Sequence, residues 1–144
     1  MNKVLIASDH AGFKLKQILI EELQGEITFE DLGPFSENSV DYPDYAKKLS
    51  KKIDLKNDLI GVLICGSGIG MSMVANRFKN VRAALCMNNK MSILARQHNN
   101  ANILVLGSRL ISEQEAIKCL LVFLKTNYEG GRHQARLDKF NLVE

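Results

Sequence analysis

Short apolar, β-branched runs alternate along this chain with longer segments whose apolar residues return at helical spacing. The short runs predict strands at residues 3–8, 26–31, 59–65, 81–86 and 102–107, and the periodic segments predict helices near 12–24, 43–53, 68–78, 89–98 and 112–127. A final stretch from Gly130 to Val143 predicts one more helix beyond the last strand. Repeated strand–helix alternation means βαβ units, and parallel strands joined by crossover helices are buried on both sides. The predicted architecture is α/β: a single-domain five-stranded parallel sheet with helices on both faces, Rossmann or flavodoxin-like, plus a C-terminal helix, over residues 1–144.

Composition narrows the function classes. The 144 residues are 46% hydrophobic and 24% charged, as expected of a soluble globular chain, and the formal net charge is only +3. Lys47, Lys48, Lys51 and Lys52 cluster, but they fall at helical spacing opposite Ala46, Leu49 and Ile53 and read as a solvated face. No aromatic residues interleave with them, so a nucleic-acid partner is not expected. The three cysteines, Cys65, Cys86 and Cys119, form no C-x-x-C pair, which fits a reducing cytosol. No apolar run reaches membrane-spanning length, and the first strand begins at once, without a basic leader. A cytoplasmic location without membrane contact is therefore expected.

The chemistry concentrates in Leu63-Ile64-Cys65-Gly66-Ser67-Gly68-Ile69-Gly70, where a buried strand ends in a thiol and a glycine-rich turn leads into a helix. Backbone N–H groups at such a turn favour negative charge, on a thiolate or on a bound oxyanion. A buried cysteine ending a strand is the plain alternative; glycines at alternate positions favour close approach of a ligand to the backbone. Other phosphate cradles fail on spacing. A phosphatase loop needs arginine six positions after the cysteine, where Met71 stands. A dinucleotide fingerprint needs G-x-G-x-x-G and an acid about twenty residues on, and neither is present. The Gly-Lys-Ser/Thr of a Walker A loop is absent too.

Ligands of open parallel sheets bind at the carboxyl ends of strands where the strand order reverses. That rule singles out Ser8-Asp9-His10 after the first strand, the Cys65 loop after the third and Gly107-Ser108-Arg109 after the fifth. The fourth helix ends in Arg96-Gln97-His98-Asn99-Asn100, and the terminal segment carries Arg132, His133 and Arg136. All three histidines of the chain are expected at such ends or in the basic terminal helix. The irregular stretch from Gly33 to Tyr42 has the length of a binding loop.

Six motifs in order, Ser8-Asp9-His10-Ala11-Gly12-Phe13, Asp41-Tyr42-Pro43, Cys65 to Gly70, Arg96-Gln97-His98-Asn99, Gly107-Ser108-Arg109 and Gly130-Gly131-Arg132-His133-Gln134-Ala135-Arg136, closely resemble the B-type ribose-5-phosphate isomerases. That family also includes galactose-6-phosphate isomerase subunits. The resemblance implies interconversion of ribose 5-phosphate and ribulose 5-phosphate without metal or organic cofactor. It implies Cys65 as the base, the backbone of Gly66, Ser67, Gly68, Ile69 and Gly70 as an anion hole, and Ser67 as a proton relay. It further implies His98 as the ring-opening group, Asp9 as a ligand of the ring hydroxyls or the group that orients the base, Asn99 as a sugar ligand, and His10, Arg109, Arg132 and Arg136 as phosphate ligands. Some relatives carry a glutamate base where this chain has Met71, which places it in the cysteine subgroup. Tyr42 either reaches the sugar or only packs, and Arg132 and Arg136 either bind phosphate or line a solvated helix face. The role of His133 stays open.

The same resemblance implies a homodimer or homotetramer whose site is shared, with His98, Asn99 and Arg109 facing a neighbour's Cys65 loop. Leu137, Phe140, Leu142 and Val143 make the terminal helix apolar enough to dock on a partner or on its own domain. Two readings compete with the isomerase: a non-catalytic phosphometabolite- or nucleotide-binding module on the same scaffold, and an isomerase preferring allose 6-phosphate or galactose 6-phosphate.

Overall fold

The computed structural model describes residues 2–142. Five strands, β1 (Asn2–Ser8), β2 (Ile27–Asp31), β3 (Ile60–Cys65), β4 (Ala83–Leu85) and β5 (Ile103–Gly107), form one all-parallel sheet in the order β2-β1-β3-β5-β4. The helices between and after them are α1 (Phe13–Leu23), α2 (Tyr42–Leu55), α3 (Ile69–Ala75), α4 (Asn89–Asn99), α5 (Glu113–Lys125) and α6 (Arg132–Leu137).

Right-handed crossovers tie the face a helix covers to the direction in which the chain steps across the sheet. The steps β1 to β2 and β4 to β5 run one way, and α1 and α4 share a face with α5; Val4, Ile6, Val62, Ile64, Leu104 and Leu106 point into it. The steps β2 to β3 and β3 to β4 run the other way, and α2 and α3 cover Leu5, Ala7, Leu63, Cys65, Ile103 and Val105. Strand alternation thus aims Cys65 at the α2/α3 side.

Most element ends fall within two residues of the sequence expectation; three elements are markedly shorter. β4, at one edge of the sheet, has only three residues, and the peptide groups of Ala83 that face outward are met by the side chain of Asn76, at 2.8 and 2.9 Å. The same Asn76 caps α3, which stops at Ala75. The terminal segment is helical only over Arg132–Leu137, since Gly130 and Gly131 take positive φ. Phe140 and Leu142 of that segment are exposed, and Val143 lies outside the described residues.

One buried charge sets the shape of the loop between β2 and α2. Lys16 on α1 is fully buried and pairs with Asp31 at 2.7 Å while also donating to the Pro34 carbonyl, and its ammonium lies over the rings of Phe13 and Phe35. Burial lowers its pKa, and the Asp31 carboxylate opposes that fall. The loop is thereby drawn toward the carboxyl ends of the strands.

Candidate active site

The strand order reverses between β1 and β3, so α1 and α2 leave opposite faces and a crevice opens at the carboxyl ends of these neighbours. After β1, the Asp9 amide donates to the Ile64 carbonyl and its carboxylate accepts from Gly12 N–H at 2.9 Å, which fixes the side chain although it is 7% exposed. His10 Nδ1 lies 3.1 Å from the Val40 amide and 3.2 Å from its carbonyl, tying the long loop to the end of β1.

Cys65 closes β3 with its thiol 5% exposed, and the Gly68 N–H donates to Sγ at 3.2 Å. Gly68 itself adopts φ 78°, a left-handed conformation disfavoured for other residues, as the chain turns from the thiol into α3. The Ile69 amide donates to Ser67 Oγ at 3.2 Å. At two other glycines the space a Cβ would fill is taken by side chains of this protein: the Arg109 guanidinium lies over Gly66, and the Tyr42 ring lies against Gly70. The Arg109 amide also donates to the Gly66 carbonyl at 3.0 Å. Asp9, His10, Tyr42, Gly66, Ser67, Gly68, Ile69, Gly70 and Arg109 thus gather around one thiol. The other two cysteines are different in kind. Burial pushes Cys86 up to about 11 and Cys119 up to about 12, so both stay protonated in the core near neutral pH.

The structure separates the remaining candidates from this crevice. A helix between two parallel strands runs against them, so α4 ends at the amino edge of the sheet, next to the start of β5. His98 and Asn99 stand on its last turn, at the end opposite Cys65, which corrects the expectation that His98 lies beside the carboxyl end of a strand. Arg109 stays on its own chain's Cys65 loop, apart from His98 and Asn99, contrary to the expected grouping. Arg96 serves the fold: its guanidinium, half-buried, donates to the carbonyls of Ala101 and Thr126 and to the Asn100 side chain.

Around His98 stands a second constellation. The His98 and His133 rings stack with centroids 4.3 Å apart, and a Glu129 carboxylate oxygen lies 3.8 Å from His98 Nε2 and 3.4 Å from His133 Nε2. Arg132 and Arg136 are exposed on α6 beside them. Glu129 sits in a segment with no periodicity, and nothing in the sequence pattern singles it out.

Fold and strand order together define a doubly wound α/β protein whose switch point carries a thiol under a backbone N–H donor. The chain belongs to the Ribose/Galactose Isomerase family, whose model matches residues 4–140. It is 48% identical over 139 residues to the probable ribose-5-phosphate isomerase B of Mycoplasma genitalium, covering 94% of this chain and 91% of that protein. It is 36% identical over 145 residues to ribose-5-phosphate isomerase B of Escherichia coli, covering 100% and 97%. Among solved structures, a ribose 5-phosphate isomerase from Thermotoga maritima superposes with a TM-score of 0.94 at 51% identity over 98% of both chains. The Mycoplasma genitalium enzyme with bound ribulose-5-phosphate superposes with a TM-score of 0.91 at 47% identity, over 96% of this chain and 93% of that one. No helix among the described residues is long and apolar enough to cross a membrane.

Proposed function

We propose that this protein is an aldose–ketose isomerase interconverting ribose 5-phosphate and ribulose 5-phosphate, with residues 1–144 as one catalytic domain. The observation that carries the reading is the Cys65 thiol held under the Gly68 N–H at the switch-point crevice, beside the fixed carboxylate of Asp9. The relatives' names and the ribulose-5-phosphate bound to one of them support the same substrate. A base that must remain a thiol suits the reducing cytoplasm.

The chemistry follows from the geometry. His98 opens the furanose, taking the proton of the anomeric hydroxyl and returning one to the ring oxygen. Cys65 as thiolate removes the proton from C2, and the electron pair moves toward O1 to give an enediolate. Backbone N–H groups along Gly66 to Gly70 hold the developing charge, a kind of contact whose loss typically costs about 10²–10³ in rate. Ser67 passes the O2 proton to O1, and Cys65 delivers its proton to C1. Asp9, Tyr42 and Asn99 hold the sugar, while His10, Arg109, Arg132 and Arg136 hold the phosphate.

The groups on the two edges of the sheet meet in this account only if a second copy supplies His98, Asn99, Arg132 and Arg136 to the Cys65 crevice. A homodimer, or a tetramer built from such dimers, satisfies that requirement twice by symmetry. The direct test is formation of ribulose 5-phosphate by purified protein in excess chelator. Undiminished turnover is expected; binding of the sugar phosphate without turnover would make the protein a binding module instead.

Arg132→Ala and Arg136→Ala should each raise KM for ribose 5-phosphate. A charge-assisted hydrogen bond contributes roughly 1.5–3 kcal/mol, so kcat/KM should fall by about one to two powers of ten in each variant. Both side chains are exposed in the single chain, where a solvated charge contributes at most about 1 kcal/mol. Unchanged steady-state kinetics in both variants would remove α6 from the site.

A further inference from the structure

The His98 corner contains more order than a lone catalytic histidine needs. The Glu129 amide donates to the Gln97 carbonyl at 3.0 Å, which fastens the segment after α5 to the last turn of α4. Gly130 and Gly131 follow at φ 67° and 56°, turning the chain so that Glu129 and His133, four residues apart, face the same ring. Tyr128 Oη donates to the Gln134 side chain at 3.1 Å, and the Gln134 amide donates to Asp138 at 2.7 Å, bracing α6 on both sides of His133. The His133 side chain is only 10% exposed, against 39% for His98, so His133 is the fixed wall and His98 the ring presented outward.

We propose that Glu129 and His133 are positioning residues for His98, the flat His133 ring seating its face and the Glu129 carboxylate accepting the proton on its Nε2, so that Nδ1 is left to act on the sugar. The proposal rests on the reading of His98 as the ring-opening group. Which ring nitrogen carries the proton is set by the partner of the other, and the Glu129 carboxylate oxygen, 3.8 Å from His98 Nε2 and 3.4 Å from His133 Nε2, favours the Nε2–H form of the ring it pairs with. The His98 contact is longer than a full hydrogen bond, and contacts of this kind often tighten when substrate binds. A metal chelate is a poorer use of the same atoms. Rings 18° from parallel and stacked face to face cannot both aim in-plane lone pairs at one ion. The other charged groups on these elements are Arg96 on α4, Arg132 and Arg136 on α6, and Asp138, which is engaged by Gln134, while Arg82 interacts with both Arg96 and Tyr128.

The test uses Glu129→Ala, Glu129→Gln, His133→Ala and His133→Phe in the full-length protein. Each is followed by steady-state kinetics from ribose 5-phosphate and by nitrogen NMR of the ring tautomer of His98, one of only three histidines in the chain. Glu129→Ala should mix the tautomers of His98 and lower kcat about tenfold with KM changed less than about twofold, as expected when a catalytic group is misplaced without loss of binding. Glu129→Gln keeps an acceptor oxygen and should restore most of the rate. His133→Phe keeps the flat wall and should restore most of what His133→Ala loses. Glu129 is half-exposed and its tether is a backbone amide, so the Glu129 variants leave the fold in place, and thermal stability is measured alongside for the buried His133. An unchanged His98 tautomer in Glu129→Ala overturns the proposal, whatever the rate does. A changed tautomer with an unchanged rate upholds the seat and overturns the ring-opening role of His98.

Discussion

Cys65→Ser is expected to lower kcat for ribose 5-phosphate isomerisation by about 10²–10⁴-fold, the usual contribution of a positioned general base. Serine fits the same place: the side chain ends β3 and accepts one backbone hydrogen bond, from Gly68, which an oxygen accepts equally well. What is lost is basicity, because a hydroxyl near neutral pH is almost never ionised whereas a thiol is within reach of it. Binding of the sugar phosphate should survive, since Asp9, His10 and Arg109 do not depend on the sulfur. The measurement is kcat together with exchange of deuterium from C2 of the labelled sugar into water, with thermal stability as a control. Turnover near that of the natural chain would exclude Cys65 as the base. Cys86 and Cys119 offer no substitute base, because burial keeps both protonated.

His98→Asn is expected to affect a different step. Ring opening loses its acid–base group while the proton-transfer apparatus at Cys65 is intact, so the rate from the closed ribose 5-phosphate should fall by about 10²-fold or more. Ribulose 5-phosphate enters the reverse reaction as an open chain and should be converted with a much smaller loss. Equal losses in the two directions would assign His98 another role. Asparagine leaves the last turn of α4 in place, since its backbone bonds run from Asn100 to Ala95 and Arg96 and do not involve the imidazole.

The elements around Cys65 were legible because their chemistry is local. An apolar run ending in Cys65 and followed by glycines is a strand, a turn and a helix start, whatever the rest of the chain does. Its orientation was not legible: β3 is apolar on both faces, so no alternation of polar residues tells which side the thiol meets. The insertion of β5 between β3 and β4 was hidden for a related reason. The clue lies in the contrast between Ile103–Gly107, buried throughout, and Ala83–Leu85, half-buried at the edge, and it gains meaning only once pairing is known. At Gly66 and Gly70 the lack of a Cβ also makes room for Arg109 and Tyr42, contacts between distant segments that no local spacing reveals. His98 lies at the edge opposite Cys65 because a helix that feeds the next parallel strand ends at that strand's beginning, a consequence of topology and not of the residues around it. Glu129 left no sequence signal at all, because its position comes from a single backbone bond to Gln97 and a pair of glycines.

The proposed isomerase site forms where the Cys65 crevice of one chain meets the His98 corner of another. It is tested most directly by combining the two disabled chains. Cys65→Ser and His98→Asn, each nearly inactive alone, are mixed in equal amounts, dissociated and reassembled, and assayed with ribose 5-phosphate. In a symmetric pair each mixed dimer contains one site with both natural residues and one with neither, so random reassembly should restore about a quarter of the natural activity. A mixture that stays as inactive as its components would contradict the shared site and require all the catalytic groups to act within a single chain.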